Sequence, residues 1–483
     1  MSQPSVNTTQ LDGAIGVLPP SSGRLYALVG ACSSGTANTP ATYARVANLT
    51  GALGDGPLVE AAARHIQKTG SPVVVVKTAA ATNVGAYGTL ASTATGTSVV
   101  TVVTGTQPRD DYDFILTFVT GGTRGTAGAT YKYSLDGGNN YSATIALGVD
   151  TSVTTAVGNV GLAFGAGTFV AGDTHTVRTT APRWDDTELL AALNALKASA
   201  VSWEMVYVVG DTGATSAGVI ETWAQGLATA GKNRNWIANT RLPTAGESEA
   251  TYLSSLNTAF LSFTTLFGTL CAGACDMISS VSGRNYRRPI AHVVGSQIAS
   301  VSEEVDVSAI NVGALAGVQI RDSAGNVRHH DESVNPGLDD ARFTVLRTWD
   351  LEPGVFVNNP RIFSSTTSDF QFVQHRRVFN IALDAVQAFL RRRLSLPVRV
   401  NPATGFILEA EAREIELGAE AAVGAVLRPK PKASGWSVVL SRTDNILSTG
   451  TLTGDLRVVP LAYIKTITLT AGFSNPALAQ ATA

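Results

Sequence analysis

The sequence predicts an α/β fold with a mostly parallel sheet core, interrupted by an inserted all-β domain and followed by a C-terminal α+β domain, with extended arms at both ends. Three observations predict this class. Strands alternate with helices near the start of the chain and again after residue 181. The region between them is rich in Thr, Gly, Val and Ala and lacks helical periodicity. One long amphipathic helix then precedes the last strands.

The chain is expected to begin with an extended arm at residues 1–22, which are polar, lack helical period and end at a Pro-Pro-Ser-Ser-Gly breaker. The α/β core is expected over residues 23–84 and 182–340, where strand–helix–strand order favours parallel strands with right-handed crossovers. In the second part, Asp185 and Glu188 place acidic side chains in the first turn of a helix. The other predicted core elements are strands at 24–30, 72–76, 203–209, 235–239 and 274–281 and helices at 58–68, 219–230 and 247–266.

Residues 85–181 are predicted to form an inserted β-sandwich of about a hundred residues, a usual size for such a domain. Its clearest strands are expected at 99–103, 113–120 and 131–135. The run Leu-Asp-Gly-Gly-Asn-Asn at 135–140 indicates a hairpin turn, because Gly and Asn tolerate a positive φ.

The C-terminal domain is expected over residues 341–483, with its long helix at 368–394. Ser368 and Gln371 have the spacing of a capping box at the start of that helix. Its apolar residues fall on one face and its polar residues, Arg377 among them, on the other. The predicted strands of this domain are at 409–416, 436–440 and 461–470, the last with Ile467 and Leu469 on one face and Thr466, Thr468 and Thr470 on the other.

Composition narrows the function. The 35 Lys and Arg residues nearly balance the 37 Asp and Glu residues, giving a net charge of −2, so the basic footprint of a general nucleic-acid binder is missing. Only 15% of residues are charged, against a usual value of about 25%, which favours a surface covered by other protein. Three cysteines do not make a disulfide framework. No signal peptide or membrane span is expected.

Motifs for chemistry are weak, and no catalytic residue, cofactor or metal is predicted. The run from Gly30 to Thr36 follows a strand as a phosphate loop would, but Thr36 stands where such a loop needs Lys. Cys271 and Cys275 could share a helix face, yet no second pair completes a zinc site, so core packing is the preferred interpretation. The remaining clusters are interpreted as solvated surface, namely His329, His330, Asp331 and Glu332, and the alternating Glu409, Glu411, Glu414 and Glu416.

Arginines mark both ends of the long helix. Arg376 and Arg377 lie near its start, and Arg391, Arg392 and Arg393 at its end. Cations near a helix C-terminus suit the helix dipole, which is a purely local explanation. The alternative is a basic ridge that docks on an acidic partner, because Arg pairs well with carboxylates.

The C-terminal part resembles the contractile tail sheath proteins of bacteriophages and related injection systems. The resemblance is carried by the segment Trp-Asp-Leu-Glu-Pro-Gly-Val-Phe-Val-Asn-Asn at 349–359, by Ser368-Asp369-Phe370, and by the Arg-rich helix that begins Arg376-Arg377-Val378. It is supported by Arg-Arg-Pro-Ile-Ala at 287–291 and the closing strand at 463–469. The order of the predicted domains extends it over most of the chain.

This resemblance implies a structural protein, not an enzyme. Copies would stack in sixfold rings around a tail tube protein, between baseplate and tail terminator proteins, without binding nucleic acid or inserting into a membrane. The sheath would be part of the virion tail, assembled in the cytoplasm of the host bacterium, and its contraction would drive the tube through the host envelope. Residues 341–483 would serve as the assembly domain, and the 85–181 insertion would face solvent. The implied tube-facing residues are Arg376, Arg377, Arg391, Arg392 and Arg393, and the implied inter-subunit strand residues are Val6, Thr8, Tyr463, Ile464, Ile467 and Leu469.

Two other functions fit the residues. An α/β enzyme would place its site in the loops after the strands, near Ser33, Asp211 or Arg241. A virion or cell-surface adhesin would bind glycans through the 85–181 insertion.

Overall fold

The computed structural model describes residues 25–80, 82–126, 128–244, 246–320 and 337–472. The chain divides into two compact units, Met1–Arg392 and Arg393–Ala483. The predicted arm at 1–22, with Val6 and Thr8, lies outside the described residues, as does the cluster from His329 to Glu332. Among the helices of the described residues, none has the length and apolar character that a membrane crossing requires.

The first unit opens with the predicted strand–helix–strand order. Pro57 occupies the first helical position and Gly70 ends that helix in the left-handed conformation, as the sequence indicates. Between the first strand and this helix lie an edge strand and a short helix. The sequence did not predict them, because both are too short to show a hydrophobic period. The elements are β1 (Leu25–Gly30), β2 (Ala41–Tyr43), α1 (Val46–Leu53), α2 (Pro57–Thr69) and β3 (Val73–Lys77).

The regular elements described between residues 86 and 180 are all strands. Buried Phe114, Leu116 and Phe118 alternate along the longest strand and pack in a separate apolar core. The predicted turn is present, with Gly137 and Gly138 at φ 67° and 93°. The strands are β4 (Ala86–Tyr87), β5 (Ala91–Thr93), β6 (Val100–Val102), β7 (Asp113–Thr120), β8 (Gly122–Thr123), β9 (Thr130–Ser134), β10 (Ile145–Ala146), β11 (Ser152–Thr154), β12 (Gly161–Phe164), β13 (Thr168–Phe169) and β14 (Thr174–Thr180).

The α/β pattern resumes with the predicted helix after residue 185. The structure adds a capping box at its start, in which the Asp185 carboxylate accepts from the Glu188 N–H and the Glu188 side chain accepts from the Asp185 N–H. The elements are α3 (Asp186–Ala198), β15 (Trp203–Asp211), α4 (Ala214–Thr229), β16 (Asn235–Asn239), α5 (Glu249–Ala259) and β17 (Gly268–Cys271).

The central sheet has the strand order β17-β16-β15-β1-β3-β2. The pairings from β17 to β3 are parallel, as predicted, and only the edge strand β2 runs antiparallel. Leu28 and Val29 of β1 enter two different apolar clusters, so both faces of the sheet are covered.

The remainder of the first unit corrects several predictions. The strand expected at 274–281 exists but is antiparallel to its neighbours in a separate sheet, and Cys271 and Cys275 lie on strands in the core instead of on a helix. The long helix begins at Val373, and Ser368 does not cap it. The elements are β18 (Ala274–Ile278), β19 (Asn285–Pro289), α6 (Ala291–Ala299), a 3₁₀ turn (Ile310–Val312), β20 (Val318–Gln319), β21 (Leu346–Trp349), β22 (Glu352–Val357) and α7 (Val373–Arg391).

The second unit contains α8 (Glu409–Leu427), β23 (Ala433–Leu440), α9 (Ile446–Thr449) and β24 (Gly454–Pro460). The strand predicted at 409–416 is wrong, because these residues begin α8. The alternation of Glu with apolar residues covers only a short window, whereas buried Ala412, Ile415, Ala419 and Val423 follow the helical spacing. The strand predicted at 461–470 is absent from the single chain, since residues 461–472 have no regular structure and a strand requires a partner ladder.

Candidate assembly interface

Two of the five predicted tube-facing arginines lie in the interior of the first unit. Arg376 and Arg377 are each 4% exposed. Nε of Arg377 lies 2.7 Å from Oε1 of Glu204, and its Nη1 donates to the Ile298 carbonyl at 3.0 Å. The Glu204 carboxylate keeps the pKa of Arg377 above its ordinary value, although burial opposes this. The expectation that Arg377 faces outward is therefore wrong for this chain.

Arg376 is held by aromatic rings. Its guanidinium lies 4.3 Å from the ring centre of Phe267 and 4.7 Å from that of Phe370. Burial lowers the pKa of Arg376 to about 10, so it remains charged at neutral pH. The first half of α7 is buried on more than its apolar face. Polar side chains are therefore buried there together with apolar ones.

The other three arginines are more accessible. Arg391 and Arg392 are exposed, and Arg393, half-buried, donates to Oε1 of Glu414 at 2.8 Å. An exposed ion pair of this kind holds its partners weakly. The tube-facing role of these three residues stays a prediction.

The second unit holds a two-stranded antiparallel sheet of β23 and β24, in which Val438 is opposite Leu456 and Leu440 is opposite Gly454. The Ser441 N–H donates to the Thr453 carbonyl across the pair. Antiparallel ladders alternate between residues that bond across the pair and residues that point away from it. The backbone groups of Val438 and Leu440 therefore face the outer edge of β23, and those of Leu456 face the outer edge of β24.

Helix α8 supplies acceptors to the outer edge of β23. Oε1 of Glu416 accepts from the Leu440 N–H at 2.8 Å, and Oε1 of Glu420 accepts from the Val438 N–H at 3.2 Å. Arg442 donates to Glu416 at 2.7 Å and to the Leu440 carbonyl at 2.8 Å. The Arg442 guanidinium holds the pKa of Glu416 near 2, well below its ordinary value.

Sequence reasoning missed this arrangement because it assigned residues 409–416 to a strand with a solvated acidic face. Glu416 is in fact 2% exposed. The available signal was the i, i+4 spacing of Glu416 and Glu420, which places both carboxylates on one side of a helix.

The outer edge of β24 has no neighbouring strand among the described residues, because the sheet contains only β23 and β24. The chain continues directly from this strand into residues 461–472, where three large apolar side chains are exposed. The exposed fractions are 80% for Ile464, 80% for Ile467 and 84% for Leu469. Exposed strand edges and apolar patches mark sites where another chain can pair.

The residues proposed for an enzyme do not form one site. A cleft of about 1240 Å³ lies at the carboxyl ends of the parallel strands and is lined in part by Asp211 and Arg241. Arg241 donates to both oxygens of Glu247, at 2.6 and 2.8 Å, and Asp211 lies 3.0 Å from Arg183. Ser33 does not line this cleft.

The glycine-rich loop after β1 is tied to a neighbouring loop. The Ser33 N–H donates to the Asp55 carbonyl at 2.8 Å, and Oγ of Ser33 accepts from the Asp55 N–H at 2.9 Å. The N–H and Oγ groups of Ser33 therefore already have hydrogen-bond partners within the chain. In the part of the chain that the structure describes, no three His, Cys, Asp or Glu side chains are gathered as metal ligands.

The segment that leads into β7 also packs onto the α/β elements. Arg288 lies 2.7 Å from Asp110, with both side chains 2% exposed, and Arg109 lies 3.4 Å from Asp55. Burial raises the pKa of Asp110 to about 8, and the Arg288 guanidinium opposes that rise. These contacts fasten the β insertion to β19 and to the loop between α1 and α2.

The solved structures that this chain resembles include chains of contractile assemblies. The sheath complex of the extracellular contractile injection system PVC, in its contracted state, superposes with a TM-score of 0.54 at 10% identity and covers 98% of each chain. A chain of the baseplate of the anti-feeding prophage gives a TM-score of 0.53 at 11% identity, and one of its contracted helical sheath 0.51 at 10% identity, both covering 98% of this chain and 100% of theirs. The fold that the sequence resemblance implies is thereby confirmed.

A search of curated proteins returns no match to this chain. The family model described as DUF2586, N-terminal domain, matches residues 3–361, well over half of the sequence. The chain therefore belongs to the DUF2586 family, and its fold is that of contractile sheath proteins.

Proposed function

We propose that this protein is a structural subunit of a contractile sheath around a phage-type tail tube. The observation that supports this most directly is a fold shared over 98% of the chain with the contracted PVC sheath complex. In this role the protein assembles with copies of itself in stacked rings and contacts a tube protein and a baseplate. Its place is the tail of a virion or injection system, assembled in the bacterial host.

Strand addition between copies is the proposed means of assembly. The second unit has a sheet of only two strands, and the segment after it exposes Ile464, Ile467 and Leu469. An extended segment that joins a foreign sheet gains main-chain hydrogen bonds without requiring the two bodies to pack rigidly. In this proposal residues 1–22 and 461–470 are the connecting arms, and the 85–181 insertion faces solvent.

Contraction is proposed to be a rearrangement of subunit contacts. An extended lattice shortens when the contacts of the contracted lattice are more favourable, and the arms keep neighbours connected while the bodies move. A small gain in free energy for each subunit, summed along a sheath, gives a large total free energy for contraction. In this proposal the chain therefore requires no hydrolysis of ATP for contraction.

Electron microscopy of the purified full-length protein tests the proposal. We expect striated hollow cylinders at high protein concentration, formed without nucleotide. A protein that stays monomeric at every concentration, alone and with its tube protein, would contradict a sheath role. Binding of glycans by such a monomer would favour an adhesin instead.

A further inference from the structure

The turn between β21 and β22 carries the most exposed large apolar side chain among the described residues. Trp349 pairs with Glu352, so Asp350 and Leu351 form a two-residue connection, and Leu351 is fully exposed. The φ of Leu351 is 67°, a left-handed value that turns give to Gly or Asn at this position, because a Cβ crowds the backbone there. The sequence therefore places a leucine where the backbone favours a residue without that side chain.

Leu351 gains no contact within its own subunit that offsets this backbone cost. Arg342 also has a positive φ, of 73°, but its Nη1 donates to the Ser364 carbonyl at 3.0 Å. The Arg342 guanidinium also lies 4.2 Å from the ring centre of Phe363. The strain at Arg342 is thus balanced inside the fold, whereas a fully exposed side chain has no such compensation. Strained residues of this kind mark sites where function requires the conformation.

The turn is held in place by its surroundings. The Arg347 guanidinium lies 3.5 Å from the ring centre of Trp349, and its Nη1 donates to Oδ1 of Asn358 at 3.2 Å. At the base of the hairpin, the Leu315 N–H donates to the Val355 carbonyl at 2.8 Å. Trp349 is itself 37% exposed. A fixed tryptophan beside an exposed leucine has the make-up of a binding anchor, because little conformational freedom is lost on contact.

We propose that the turn at 349–352 is an anchor that packs onto a second copy of this chain, with Leu351 buried at the contact. This inference rests on the proposed function, because it requires copies that assemble. It adds a contact made by the first unit, separate from the arms at 1–22 and 461–470. Each copy can give one anchor and receive another, and a heterologous contact of this kind repeats into rings or helices.

Charge favours a second copy over a tail tube as the partner. Asp350 and Glu352 are exposed on either side of Leu351. A tube that docks on the arginines at 391–393 must present acidic groups, and acidic groups that face Asp350 and Glu352 would repel them. A second copy has a nearly balanced charge, with 35 Lys and Arg residues against 37 Asp and Glu residues, so it offers cations to these carboxylates.

Replacing Leu351 tests the anchor, because its roles in folding and in assembly can be measured separately. Leu351→Asn and Leu351→Gly both suit a positive φ and both remove the apolar side chain. We expect the urea midpoint of the free full-length subunit to stay the same or rise. The concentration required for assembly without tube protein should rise at least about tenfold. The matched control is Leu261→Asn, at a turn leucine of the first unit that is 83% exposed, and it should change neither value.

Three outcomes of this comparison would overturn the proposal. A lower urea midpoint for both Leu351 variants would mean that this side chain stabilises its own subunit. An equal loss of assembly with Leu261→Asn would show an effect of surface hydrophobicity in general. Unchanged assembly of the Leu351 variants would show that the turn makes no contact between copies, and weakened co-sedimentation with tube protein alone would assign it to the tube.

Photo-crosslinking identifies the partner directly. A benzophenone amino acid at position 351 of the full-length chain should give covalent dimers of this chain in assemblies and none below the assembly concentration. Crosslinks to tube protein only, or no crosslinks in assemblies that form normally, overturn the assignment and leave the sheath role intact. If the natural chain does not assemble under any condition, alone or with its tube protein, the proposed function fails and this inference fails with it.

Discussion

Arg377 and Glu204 form a buried ion pair that joins the long helix α7 to the central strand β15. Nε of Arg377 lies 2.7 Å from Oε1 of Glu204, and their side chains are 4% and 6% exposed. Nη1 of Arg377 also donates to the carbonyl of Ile298, at 3.0 Å. An arginine of the Arg-rich helix thus lies in the interior of the first unit and pairs there with a carboxylate.

Replacing Glu204 with Gln is expected to destabilise the first unit strongly, because a charged guanidinium is left buried without its partner. The expected loss in free energy of unfolding is about 3 to 5 kcal/mol, measured by urea unfolding with tryptophan fluorescence. The double variant, with Arg377→Met added, should regain much of the lost free energy of unfolding. The control is Asp113→Ala at the exposed pair with Arg178, expected to cost about 0 to 1 kcal/mol. Equal losses at both sites would contradict the structural role of the buried pair.

The error at Arg377 shows what a sequence pattern can and cannot establish. The helix after Asp185 and the strand at 235–239 were predicted because their signals are local, namely acidic side chains in a first helical turn and the strand-forming Trp236 and Ile237. The segments that pack around a helix can be far away in the sequence. The sequence alone therefore could not show whether the polar side of α7 faces solvent or is buried in a network of polar contacts. The strand expected at 461–470 failed for a related reason, since the alternating pattern requires a partner that the single chain does not supply.

Acid is expected to weaken the second unit through Glu416. Its pKa near 2 lies below the ordinary value of 4.5, so the unfolded chain binds more protons between these values. This contribution to stability is present above about pH 4.5 and is lost as the pH falls toward about 2. The Glu416→Gln variant should show a flatter dependence on pH over this range. Trp436, the only tryptophan after residue 393, reports it by fluorine NMR with fluorotryptophan.

Glu414 offers the matched control for this pH dependence. It lies on the same helix and pairs with Arg393, but its side chain is 63% exposed. The Glu414→Gln variant should show the same dependence of stability on pH as the natural chain. If both variants flatten the curve equally, Glu416 is not its source.

The arginines at 391–393 are expected to matter for binding to a tube more than for assembly of the sheath alone. Replacing all three with Ala should weaken co-sedimentation with tube protein by about tenfold, the sum expected of several exposed charge contacts. The difference in tube binding between the natural chain and this variant should become smaller at high salt, because exposed charges are screened. Arg178→Ala, a change at another exposed arginine, is the control and should leave tube binding unchanged. An equal loss of assembly without the tube would remove the tube-facing role.

The Val458→Pro variant is expected to lose assembly without unfolding. The Val458 N–H faces the outer edge of β24, and proline is tolerated in an edge strand where its missing N–H would point outward. Val458→Ala keeps the N–H although it removes more of the side chain than proline does, so it is the control for the lost N–H. Analytical ultracentrifugation should show a monomer for the proline variant and assemblies for the alanine variant. Assembly of both to the same extent would mean that β24 does not receive a strand through this group.

The two faces of residues 461–470 are expected to respond differently to charge. Because neighbouring residues of a strand point to opposite sides, Ile467 and Leu469 would enter an interface that Thr466 and Thr468 would leave. Burial of two such apolar side chains stabilises by about 1.5 to 3 kcal/mol each, so Ile467→Asp with Leu469→Asp should raise the assembly concentration at least about a hundredfold. Thr466→Asp with Thr468→Asp adds the same charge on the other face and should have a much smaller effect. Equal effects from the two pairs would show that charge alone, and not a buried strand face, controls assembly.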